Sequence, residues 1–184
     1  MFSIISVEEG AAENVEYLGS KQKFWFKHSA LGRSLWKAAR IDTGEDWSEK
    51  IAEQLALQLG LPCARYELAV CDGKKGVVTP TIVPEEASLT LGNELLVAQE
   101  SNYPAPGTVS KFRTSQHTID IVLNNLRESG AGLPPDWAPL SGIQTAQDLF
   151  VGYLLLDAWI GNTDRHHENW AIIERIDSPP LRGR

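Results

Sequence analysis

The feature that most narrows what this chain can become is a change of character between residues 149 and 173. An apolar run, Leu149 to Ile160, leads into a polar cluster, Gly161-Asn162-Thr163-Asp164-Arg165-His166-His167-Glu168-Asn169. A short apolar run, Trp170 to Ile173, leads out of it. Two segments of buried character therefore bracket a loop dense in titratable and amide side chains. Such a loop is expensive to hold in place unless its polar groups have partners. The pattern predicts a built site here, and it requires the flanking chain to fold around that site.

Length and charge bound the remaining choices. The 184 residues suffice for one ordinary domain or two small lobes. A net charge of −7 argues against nucleic acid or an anionic membrane as the main partner, although a local basic patch can still bind phosphate. The start, Met1-Phe2-Ser3-Ile4-Ile5-Ser6-Val7-Glu8-Glu9, has no basic segment and only a short apolar run, so no signal peptide is expected. Val151 to Leu156, bracketed by Asp148 and Asp157, is far short of the roughly 20 apolar residues of a membrane span. A soluble, cytoplasmic protein is expected. In that setting Cys63 and Cys71 read as two reduced core thiols.

In chain order, Val15 to Gly19 and Lys23 to His28 read as strands around a turn at Gly19-Ser20. A third strand over Ser34 to Arg40 places Leu35 and Lys37 on one face, Trp36 and Ala38 on the other. Asp46 is placed to cap a helix running to about Leu59, ending at Gly60-Leu61-Pro62, with an apolar ridge of Trp47, Ile51, Leu55 and Leu59. Ala64 to Val70 and Val77 to Val83 form a predicted hairpin about an Asp/Gly/Lys turn. Pro84 to Gly92 reads as a connector, Asn93 to Gln99 as a short helix. Ser115 to Ser129 reads as a helix carrying Ile119, Val122, Leu123 and Leu126. Thr145 to Trp159 is apolar nearly all round and predicts a helix buried on several sides. Trp36, Trp47, Trp159 and Trp170 all fall in core-like patterns.

Asp164 and Asn169 stand five residues apart, the spacing of the base and the metal-binding Asn in a protein-kinase catalytic loop. Phosphoryl transfer needs phosphates held by positive charge, metal held by oxygen ligands, and a positioned base. Lys37 on a strand and Glu49 on the following helix occupy the places of a phosphate-contacting lysine and its ion-pair partner. The sequence resembles the HipA-like serine/threonine kinases in three pieces. These are Glu49 to Pro62, Ala64 to Ala69, and the loop Gly161 to Asn169, which matches that family's N-x-D-x-H-x-x-N pattern. The resemblance runs from about residue 34 to 173 and is loose between 93 and 144. It implies an α+β, protein-kinase-like bilobal fold, with a small strand-rich N-lobe (residues 1–88) and an incomplete helical C-lobe (89–173), followed by a disordered tail (174–184). It implies ATP and Mg²⁺ as cofactors, with Asp164 as base, Asn169 as Mg²⁺ ligand, His166 in support, Lys37 on phosphate and Glu49 holding Lys37. A protein substrate and an antitoxin-like partner are implied with it.

The sequence departs from that family where a second metal-binding Asp, on a DFG-like segment, would follow the loop. Asp177 is too close to Asn169 and wrongly flanked for that role. Gly32 is the nearest, weak candidate for a phosphate loop. The expectation is a truncated member with little or no kinase activity. Two alternatives stand beside it: a catalytically dead binding protein on the kinase fold, and a metal-assisted hydrolase using Asp164, His166 and His167. Duller readings exist for each residue: Lys37 as an edge-protecting lysine, Glu49 as a first-turn surface residue, His166 and His167 as ordinary hydrogen-bonding histidines.

Overall fold

Alternation of apolar and polar residues organises the first half of the chain. In the computed structural model, which describes residues 2–8, 10–15, 22–105, 107–108 and 114–176, the chain divides into two units, residues 1–82 and 83–184. The Gly19-Ser20 turn and residues 177–184, Asp177 included, lie outside the described residues.

Among the described residues, the first unit is a six-stranded sheet with one helix. Its strands are β1 (Ile4–Val7), β2 (Asn14–Val15), β3 (Lys23–His28), β4 (Gly32–Ala38), β5 (Glu67–Cys71) and β6 (Lys74–Pro80), in the order β1-β5-β6-β4-β3-β2. Only β1 and β5 run parallel. The period of two sends Phe24, Phe26, Trp36, Ala69, Cys71 and Val78 into one core, with Trp36 and Val78 fully buried. Trp36 lies opposite Phe24 on one side and Val78 on the other, its ring centroid 5.0 Å from that of Phe24. Asp72 and Gly73 both take positive φ, as a two-residue hairpin turn between β5 and β6 demands.

Helix α1 (Glu45–Gln58) packs against β5 and β6. It starts from Gly44, in a left-handed conformation, so Asp46 sits inside the first turn instead of capping it. Its buried face also differs from the predicted ridge. Trp47 and Ile51 are 52% and 45% exposed, whereas Lys50, Glu53 and Ala56 are buried. The reason is a tertiary polar network. Lys50 Nζ donates to the Tyr66 carbonyl at 2.5 Å and pairs with Glu53 at 2.7 Å and Glu67 at 3.4 Å. Buried charges are tolerated when so paired, and hydrophobicity alone did not choose the docking face. Neither cysteine forms a disulfide. Cys71 is in the core, but Cys63 is exposed, so only one is a core thiol.

The second unit holds β7 (Ala87–Leu91), α2 (Gly92–Gln99), α3 (Ile119–Glu128), α4 (Ala146–Ile160) and β8 (Ala171–Arg175). The connector expected over 84–92 contains β7, which pairs antiparallel with β8. There the Thr90 hydroxyl donates to Glu174, 84 residues away. Leu95, Leu96, Tyr103, Val122, Leu126, Phe150 and Trp170 form the core. Thr118 caps α3, and Thr145 with Asp148 forms a capping box on α4. Helix α4 is not buried on several sides as its composition suggested. Leu149, Phe150, Leu156 and Asp157 are buried, while Val151, Leu155 and Trp159, at four-residue spacing on one ridge, are 50%, 62% and 55% exposed. Trp47 and Trp159 are thus surface residues, and Trp36 and Trp170 are the buried ones. Among the described residues no helix is long and apolar enough to cross a membrane.

Candidate functional site

The polar loop begins where α4 ends. Gly161 closes the helix with φ 68°, a left-handed conformation that a side chain disfavours. The Asn162 N–H then returns to the Asp157 carbonyl at 2.8 Å. At the far end, the loop is clamped to the start of α2. The Gly92 N–H donates to the Trp170 carbonyl and the Asn93 N–H to the His167 carbonyl, each at 2.8 Å. Gly92 is needed for a steric reason: a Cβ there would stand 2.2 Å from Trp170 Cε2. The Trp170 ring packs edge-on against Phe150 at 5.5 Å, and its Nε1–H donates to His117 Nε2 at 3.2 Å.

Between these anchors the loop makes several hydrogen bonds within itself. Asn169 Nδ2 donates to the Asp164 carbonyl at 2.7 Å and to Asp164 Oδ2 at 2.9 Å. The Asp164 N–H donates to Asn162 Oδ1 at 3.1 Å, and the Asn169 N–H to the His166 carbonyl at 2.9 Å. The Glu168 N–H donates to His166 Nδ1 at 3.2 Å, so the ring proton sits on Nε2, 3.5 Å from Asp164 Oδ1. His166 is buried, while the Asp164 side chain is 59% exposed. The carboxylate is therefore oriented from the protein side and open on the other.

Beneath the loop, Tyr103 Oη and His167 Nδ1 share a hydrogen bond of 2.8 Å. Burial pushes the Tyr103 phenol up to about 12. Burial, then the neighbouring His167 and His166, hold the His117 imidazole below its usual range. Both groups are thus kept neutral under the loop near pH 7.

In the first unit, Lys37 Nζ meets Glu49 Oε1 at 2.5 Å, both side chains about a third exposed. Lys37 projects from the sheet face opposite Trp36, as the strand period requires, and α1 supplies Glu49 to that face. The Tyr66 phenol, buried and hydrogen-bonded to Glu49, is raised first by burial and then by that carboxylate. So Lys37 and Glu49 come together in the first unit, and Asp164, His166 and Asn169 come together in the second.

Sequence reasoning missed Asp157, Asn162 and Arg165. Asp157 is buried, and its carboxylate accepts from Arg165 Nε at 2.7 Å, Arg165 Nη2 at 2.9 Å and Asn162 Nδ2 at 2.7 Å. The available signal was a carboxylate ending an otherwise apolar helix.

The donor chemistry suits Mg²⁺ in part. Mg²⁺ takes hard oxygen ligands and keeps several waters. Both Asn169 amide hydrogens face Asp164, and Oδ1 takes no hydrogen bond from a described residue. That amide oxygen, beside an exposed carboxylate, fits such an ion. Among the described residues no cluster of three His, Cys, Asp or Glu is placed to hold a metal, so the Asp164, His166 and His167 set does not form one.

The architecture defines the class: a mixed α+β chain with a kinase-like fold. Among solved structures it is similar to the Helicobacter pylori proinflammatory kinase CtkA, with a TM-score of 0.59 and 15% identity. The match covers 94% of this chain and 54% of that one, so the chain spans about half the length of the kinase it matches. No protein-family model matches the sequence, and no curated protein matches it.

Proposed function

We propose that this chain carries the catalytic loop and the phosphate-contacting lysine of an ATP-dependent protein Ser/Thr kinase of the HipA-like kind. The strand-rich unit stands as the small lobe and the helical unit as part of the large one. Asp164 is the base that accepts the substrate hydroxyl proton. Asn169 holds Mg²⁺ through Oδ1, and His166 keeps the Asp164 carboxylate in place. Lys37, fixed by Glu49, contacts nucleotide phosphate. Mg²⁺, when bound, neutralises charge on the phosphates. One observation carries the reading: Asn169 is bonded to both the carbonyl and the carboxylate of Asp164, five residues back, which fixes base and amide oxygen as a single unit.

The second reading is a binding protein on the same fold, and it too has an observation behind it. The carboxylate bonded to Asn169 is that of Asp164, and among the described residues no group of three His, Cys, Asp or Glu is placed to hold a metal, whereas kinases hold the metal with a further Asp. The 184 residues alone are therefore expected to bind nucleotide but transfer phosphate little or not at all. Labelled ATP with Mg²⁺, read as phosphate incorporation, separates the two. Transfer that disappears in Asp164→Ala establishes the kinase and refutes the impaired reading; nucleotide binding without transfer supports the latter.

A further inference from the structure

A buried carboxylate at the end of an apolar helix asks for an explanation beyond packing. Asp157 is 6% exposed, and α4 is already held by Leu149, Phe150 and Leu156. An apolar residue at 157 would serve the core as well. Instead, its side chain collects three hydrogen bonds, all from the loop that follows. Asn162 Nδ2 and Arg165 Nη2 donate to Oδ1, and Arg165 Nε donates to Oδ2. The guanidinium fork is bidentate, the geometry that fixes a planar cation most closely.

Each of those two donors passes its position on. Asn162 Oδ1 accepts the Asp164 N–H at 3.1 Å. Arg165 Nη1 donates to the Asn169 carbonyl at 3.1 Å. Both ends of the Asp164–Asn169 pair are thus tied, through one intermediate each, to a single carboxylate on a rigid helix. Arg165 also lies over the Tyr153 ring, 6.0 Å from its centroid, which steadies it from the α4 side.

We infer that Asp157 is the positioning residue of the loop: through Arg165 and Asn162 it sets the separation of Asp164 and Asn169. Its importance to phosphoryl transfer rests on the kinase reading above; the geometric role does not. Outer groups that orient metal ligands typically alter metal affinity 10- to 100-fold when removed.

The test uses two variants of the full chain and a spectroscopic readout. Asp157→Asn keeps the shape and removes the charge. Arg165→Lys keeps the charge and removes the fork; the side chain is 26% exposed, and the Asn162–Asp157 bond survives it. The expected result, in ¹⁵N-resolved NMR, is that the Asn169 side-chain amide signals move to exposed-asparagine positions and exchange faster. Signals from α3 stay in place, and Mg²⁺-dependent ATP binding weakens about 10-fold or more. An Asn169 amide unchanged in either folded variant overturns the inference. Where Asp157→Asn loses its helical circular dichroism, Arg165→Lys decides alone. A parent chain that binds no nucleotide sinks the kinase reading, and the Asn169 signal still decides the role of Asp157.

Discussion

Substituting Gly92 by Ala strikes the loop without touching any of its polar side chains. The new Cβ would lie 2.2 Å from Trp170 Cε2 and 2.6 Å from both Cδ2 and Cζ2. Ordinary contact begins near 3.4 Å, so ring and helix must part by about 1.2 Å. Trp170 has little room to retreat, being 8% exposed and packed against Phe150. Overpacking of this kind costs about 1–3 kcal/mol. Displacing the indole also weakens its hydrogen bond to His117, worth about 1 kcal/mol. At about 4–8 °C per kcal/mol for a unit of this size, a total of about 2–4 kcal/mol should lower the melting temperature by roughly 8–30 °C. Because Gly92 and Asn93 also hold the Trp170 and His167 carbonyls, the loop moves with the ring. Thermal unfolding followed by tryptophan fluorescence measures the loss. Gly132→Ala is the control, since a Cβ there meets nothing within 4 Å. A Gly92→Ala variant that melts within a degree of the parent would refute the claim that this close approach seats the loop.

Two further outcomes follow from the charge arrangement. Lys50→Met leaves Glu53 buried without its cation and should cost about 3–5 kcal/mol in urea unfolding, while adding Glu53→Leu recovers most of it; a single variant as stable as the double contradicts the buried network. His117 is held below its usual range, so as pH falls the unfolded chain takes up the proton first. Its contribution is therefore complete above about pH 6.5 and is lost as pH drops from there toward the folded value. Melting temperature should fall over that window in the parent and fall less in His117→Gln; equal slopes would show that His117 is not responsible.

The sequence was most legible where a local period decides the structure. The alternation through Leu35, Trp36 and Lys37 is the observed β4, and of the expected ridge Ile119, Val122, Leu123 and Leu126, Val122 and Leu126 are on the buried face of α3 while Ile119 is exposed. Long-range choices were not legible. Strand β7 exists because β8 lies beside it, and nothing within 87–91 announces that partner. Helix α1 turns Lys50 and Glu53 inward because the Tyr66 carbonyl and Glu67 receive Lys50 and Glu53 pairs with it, which a hydrophobic count over Trp47 and Ile51 inverts. The exposed ridge of α4 has the same lesson: Val151, Leu155 and Trp159 are apolar, but their facing direction is set by what packs on α4. In the loop, the five-residue spacing of Asp164 and Asn169 was readable. The part played by Asp157 was not, because it depends on Arg165 folding back across eight residues.

The proposal at the centre is that the Asn169 amide oxygen, held beside the Asp164 base, takes the Mg²⁺ of a bound nucleotide. Calorimetric titration of ATP, with and without Mg²⁺, on the parent and on Asn169→Ala tests it most directly. The account predicts tighter ATP binding with Mg²⁺ in the parent, and loss of that gain in the variant while its helical circular dichroism is retained. Binding indifferent to Mg²⁺ in the parent, or a gain that survives in Asn169→Ala, would contradict it.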